Sequence, residues 1–135
     1  MKNNSQKGFT LIEMLVVIGM IGVLAATVLT ALAPSRAKAR DARIISGLNQ
    51  LSAIVEASFD GNFYPASLPS TAAVTTVVAD ITTIATVAPT YNISATKIAF
   101  AISSPLASDA TQYYCVDSTG YRGSSTKKAT SGVCQ

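Results

Sequence analysis

Phe9 to Ala33 reads FTLIEMLVVIGMIGVLAATVLTALA, an apolar run interrupted by one charge, Glu13. At 1.5 Å per residue, a helix over this run is about 37 Å long, enough to cross a bilayer with some tilt. The run is read as a membrane-spanning helix. A secretory signal is the competing reading, since Ala31-Leu32-Ala33 has the small-x-small form of a cleavage site and Lys2 and Lys7 supply a basic flank. Against it, the run exceeds the roughly 7–15 residues of a signal core. Glu13 also lies inside it, and Pro34 would follow the cut without an N–H and with a fixed φ.

Glu13 is the most informative residue. A carboxylate in an apolar helix costs about 3 kcal/mol on insertion scales, so it normally has a partner and a task. If the chain began at Phe9, a free α-amine would sit one helical turn before Glu13, on the same face. The positive end of the helix would favour the carboxylate too. Cleavage before Phe9 would therefore create the missing counter-charge, on the same chain or on a neighbour.

The stretch Lys7-Gly8-Phe9-Thr10-Leu11-Ile12-Glu13, followed directly by the apolar run, resembles the prepilin signal of type IV pilins and type II secretion pseudopilins. The resemblance implies that residues 1–8 are a leader, that a prepilin peptidase cuts between Gly8 and Phe9, and that the new Phe9 amine is methylated. Glu13 would then guide subunit assembly by pairing with the amine of a subunit already in place. The implied partners are further copies in a helical filament, the prepilin peptidase, an inner-membrane assembly platform, and the membrane itself before assembly. The implied location is the cytoplasmic membrane, single-pass with the C-terminal domain outside, and afterwards a surface filament. Type IV pilins often carry a helix-loosening proline inside the apolar segment. Here Thr30 stands in that region and Pro34 comes a turn later, so the position of any kink stays open. Gly19, Gly22 and Ala26 either let helices approach closely or reflect ordinary membrane-helix composition.

Downstream, Arg36, Lys38, Arg40 and Arg43 outnumber Lys2 and Lys7, and by the positive-inside count would leave the C-terminal part in the cytoplasm. The cysteine pair and the motif favour the opposite orientation, with these cations on a helix surface. Ile44, Leu48, Leu51, Val55 and Phe59 then recur at helical spacing, which predicts an amphipathic continuation over 34–59, ended by Asp60-Gly61-Asn62.

Residues 60–135 are expected to form a small head. From Ser67 to Thr90 the Ala, Thr, Val and Ser content fits a helix by apolar spacing or strands by β-branching, and both stay open. Strands are expected over Lys97–Ile102 and Gln112–Val116, with a turn at Ser118-Thr119-Gly120. The expected class is α+β: a long N-terminal helix, half membrane-spanning and half amphipathic, packed against a small antiparallel sheet, in the pilin manner. Cys115 and Cys134 form an even pair that suggests a disulfide in an oxidising compartment, the alternative being two free thiols. The resemblance makes Ser118 to Val133 an exposed loop for subunit and surface contacts. Its cations, Arg122, Lys127 and Lys128, are where nucleic acid or an acidic partner would be met, against the plainer reading of a solvated loop. Asn92-Ile93-Ser94 and Asn3-Asn4-Ser5 fit a glycosylation sequon, the second within the leader.

Composition narrows the function. Histidine is absent and the acids are scattered, so no catalytic residue, metal ligand set or cofactor site is expected. The net charge of +3 falls to +1 without Lys2 and Lys7, which gives nucleic-acid binding little support. Three functions follow: a pilin serving adhesion, motility or DNA uptake; a pseudopilin of a type II secretion or competence system; or a membrane-tethered binding domain. The cysteine layout favours the first. Only Asp109 and Asp117 offer carboxylates beyond residue 100, too few for the calcium loop typical of major secretion pseudopilins.

Overall fold

A computed structural model describes residues 8–134. The expectations on Lys2, Lys7, Asn3-Asn4-Ser5 and the rest of the leader before Gly8 lie outside the described residues. In chain order the elements are α1 (Leu11–Ala57), α2 (Ala72–Ala85), β1 (Thr90–Ile93), β2 (Phe100–Pro105), β3 (Tyr113–Asp117) and β4 (Arg122–Ser125). The chain divides into two units between Ser35 and Arg36.

In the first unit every large apolar side chain from Phe9 to Leu32 is exposed. The segment is rich in β-branched residues, which restrict helices in water; in hydrocarbon a helix is the form in which one segment satisfies all its own backbone groups. Its hydroxyls follow the same rule, Thr27 donating to the Leu24 carbonyl at 2.8 Å and Thr30 to the Thr27 carbonyl at 2.9 Å. Helix α1 continues through Pro34, whose ring nitrogen cannot donate to the Thr30 carbonyl.

The second unit is a helix-backed sheet. β1 to β4 form an antiparallel meander in sequence order. Ile44, Leu48, Leu51 and Val55 of α1 are fully buried and share one core with Val74 and Ile81 of α2 and with Phe100, Ile102 and Val116 of the sheet. Burying each such side chain contributes about 1.5–3 kcal/mol, so this stripe holds the head together. Phe59 does not extend it. The helix stops at Ala57, Asp60 accepts from the Asn62 and Phe63 amides in a turn with Gly61 at positive φ, and Phe59 is left 40% exposed against the Tyr64 ring.

The open stretch before the sheet resolves as helix α2. Thr71 caps it, accepting from the Val74 amide at 3.3 Å, and Thr75, Thr76, Thr82 and Thr83 return their hydroxyls to carbonyls one turn back. Gly47 decides how closely α2 packs on α1. A Cβ there would lie 2.9 Å from two carbons of Ile81, closer than side chains tolerate.

The strand expected over Lys97–Ile102 begins later, at Phe100, and runs to Pro105. Lys97 has φ 59°, its amide donates to the Ser94 carbonyl, and Ile98 is 62% exposed; residues 94–99 are the β1–β2 connection. Once in the sheet, β2 is buried along its whole length. Phe100 and Ile102 face the helices, while Ala101 packs with Cys115 and Ala129 in a second cluster joined by Cys134. The other expected strand appears as β3, displaced by a residue to Tyr113–Asp117.

Candidate functional site

Helix α1 begins where it does because Thr10 and Glu13 cap it reciprocally. The Glu13 amide donates to Thr10 Oγ1 at 3.3 Å, and the Thr10 amide donates to Glu13 Oε2 at 2.8 Å. The Thr10 hydroxyl donates to the same carboxylate oxygen at 2.8 Å. This is a capping box, which satisfies amides that the first turn of a helix otherwise leaves unpaired. The sequence carries the signal as Thr10-Leu11-Ile12-Glu13, but a search for a counter-charge to Glu13 passes over Thr10. Among the described residues Glu13 has hydrogen-bond partners and no ion-pair partner.

Just before the cap, Gly8 and Phe9 are exposed. Gly8 and Phe9 precede the helix, Phe9 is 82% exposed, and nothing lies within 4 Å of where a Gly8 Cβ would stand. The Gly8–Phe9 peptide bond is thus exposed and outside the helical ladder, and the capping box marks where the helix starts. Gly19 and Gly22 likewise have open space over them on the apolar helix.

The remaining residues of interest lie in the other unit. Cys115 and Cys134 form a disulfide with a Cα separation of 5.9 Å. The C-terminal stretch, expected as an exposed loop, is instead partly built into the sheet. Residues 122–125 form β4, and Ala129 is buried with its amide donating to Ser103 Oγ at 3.0 Å and its carbonyl accepting from Asn92 Nδ2 at 2.7 Å. Asn92, the sequon residue, is therefore engaged in fastening the tail. Gly132 has φ 78°, which favours glycine, and a Cβ there would lie 2.6 Å from backbone atoms of Ser94 and Ala99, so no side chain fits.

Asp117, which the sequence reading weighed only as a calcium ligand, closes this assembly. It is 5% exposed; Oδ1 accepts from the Thr119 amide and hydroxyl and the Tyr121 amide, and Oδ2 from the Cys134 amide at 3.0 Å. Burial pushes its carboxyl up, but these hydrogen bonds outweigh burial and hold it below the ordinary aspartate value. Of the loop cations, Arg122 bonds Asn49 of α1 and Lys128 Nζ lies 5.8 Å from the Tyr113 ring centroid.

An apolar N-terminal helix, continued by an amphipathic stretch that backs a four-stranded antiparallel meander, defines a pilin-like α+β protein. Residues 3–29 match the prokaryotic N-terminal methylation motif, the prepilin-type signal of type IV pilins and pseudopilins. No curated protein and no solved structure matches the chain.

Proposed function

We propose that this chain is a structural subunit of a type IV pilus-like filament, made as a prepilin with leader 1–8 and cut between Gly8 and Phe9. In this reading the Phe9 amine is methylated, 9–33 is the membrane and then filament-core segment, 34–59 continues the helix, and 60–135 is the head. The observation that carries it is the methylation motif over residues 3–29 on a chain whose apolar helix is capped just after an exposed Gly8–Phe9 bond. Cleavage there would leave the new amine beside the capping box, where Glu13 can exchange its neutral Thr10 partners for a cation on its own chain or the next. The gain is a charge-assisted bond in a medium of low dielectric. The disulfide-closed C-terminal segment supports an exported head, and a pilin over a secretion or competence pseudopilin.

Intact mass of the protein in material sheared from the cell surface tests this. A chain starting at Phe9, heavier by one CH2 for the methyl that replaces an amine hydrogen and lighter by the two thiol hydrogens, is the expected result. A processed chain confined to the membrane fraction would transfer the role to a pseudopilin. Retention of residues 1–8 in cells with an active prepilin peptidase would overturn the reading.

A further inference from the structure

Arg36, Lys38, Arg40 and Arg43 crowd into about two turns of α1. Arg36, Arg40 and Arg43 share one face by their spacings of four and three. Arg43 is committed, pairing with Asp80 of α2 at 2.5 Å. Arg36, Lys38 and Arg40 are exposed and, among the described residues, have no hydrogen-bond or ion-pair partner. The nearby acids are occupied. Asp41 Oδ1 accepts from the Ala107 and Ser108 amides at 2.7 and 3.0 Å, and Asp109 accepts from the Thr111 amide and hydroxyl.

The apolar run ends at Ala33, and the three residues from there to Arg36 can span at most about 11 Å of chain. If the run occupies the hydrocarbon, these cations are held at headgroup depth. Their unfavourable sign for an exported flank by the positive-inside rule makes a local counter-charge more valuable.

We propose that Arg36, Lys38 and Arg40 form a collar that binds the phosphates of anionic lipids in the leaflet on the head's side of the membrane, holding the subunit at that surface before assembly. The proposal rests on the membrane-spanning reading of the apolar run. Juxtamembrane cations each favour an anionic surface by about 1 kcal/mol, about fivefold in association. The pairing weakens with salt. Incorporation of the collar into a filament would require release of those lipids.

The test uses the full chain reconstituted into bilayers of phosphatidylcholine containing spin-labelled phosphatidylglycerol or spin-labelled phosphatidylcholine, and reads the motionally restricted fraction of each. Resistance to alkaline extraction reports separately on insertion, so failure of the membrane reading is distinguishable from failure of the collar. The expected result is a preference for phosphatidylglycerol of about fivefold or more at low salt, lost in Arg36→Gln/Lys38→Gln/Arg40→Gln and kept in Arg36→Lys/Arg40→Lys. The control Lys127→Gln/Lys128→Gln, which also lowers the net charge but in the C-terminal segment, is expected to keep it. An inserted protein with no preference, or a preference unchanged in the triple variant, overturns the proposal. So does a triple variant whose only change is weaker self-association, which would assign these cations to acids on neighbouring copies.

Discussion

The two halves of α1 form one continuous helix and differ in what they bury. Up to Ser35 the helix exposes all of its large apolar side chains; from Arg36 it buries Ile44, Leu48, Leu51 and Val55 completely, with Ser52 beside them, and keeps Arg36, Lys38, Arg40 and Arg43 exposed. The first half is long and apolar enough to cross a membrane, and in hydrocarbon helicity would be demanded by the lack of other hydrogen-bond partners, so that the identity of any one side chain would matter little to folding. In the second half the helix is one wall of a core, and a single methylene is felt.

The sharpest way to break that contrast is to make the same kind of truncation on each side. Leu48→Ala should destabilise the head by about 2–5 kcal/mol because it leaves a cavity between the helices and the sheet. Leu24→Ala should change head stability by no more than about 0.5 kcal/mol. Denaturant unfolding of both variants in detergent, followed by near-UV circular dichroism of the head tyrosines, checks this. Comparable losses would mean that the apolar half is part of the folded core.

Removing the disulfide with Cys115→Ser/Cys134→Ser should cost about 3 kcal/mol, from the unfolded-state freedom that a loop of this size restores. The same unfolding assay reads it, and a loss well below that would show that the tail clamp around Ala129 and Asp117 suffices without the covalent bond.

Gly47→Ala sharpens the comparison on the helix itself. With Ile81 carbons 2.9 Å from the new Cβ, overpacking should cost about 1–3 kcal/mol despite the better helix propensity of alanine. Gly19→Ala, with open space around it, should leave head stability unchanged.

The smallest effect is pH-dependent. Asp117 is held below its ordinary value, so its contribution is present above the unfolded aspartate pKa of about 4 and is lost as pH falls through the lower folded value. Asp117→Asn should flatten the acid limb of the stability profile and lower stability at neutral pH, since an amide oxygen accepts more weakly than a carboxylate and its NH2 can meet donors. An unchanged acid limb would place the acid sensitivity elsewhere.

Some of this was legible in the residues. The apolar run, Glu13 within it and the helical spacing of Ile44, Leu48, Leu51 and Val55 are periodic or local signals, and such signals survive without knowledge of partners. The α2 stretch is ambiguous in sequence because threonine and valine suit either state until something covers one face; α1 supplies that cover, with Gly47 against Ile81 and Val77. β2 starts later than the sequence suggests because the alternation of larger apolar residues continues back to Ile98, beside Lys97, whose positive φ shows the backbone already turning. The cap at Thr10 is legible too, as Thr followed three residues later by Glu13 ahead of an apolar run.

By itself the sequence determined the membrane-length helix, the processing motif at its head and the stripe on which a small domain folds, because each depends on residue type and spacing along a single element. Only the tertiary structure decided that α2 is a helix, that β2 is buried on both faces, and that Asp117, Asn92 and Gly132 fasten the C-terminal tail. Those outcomes depend on which atoms, distant in sequence, are brought within a few ångströms of each other.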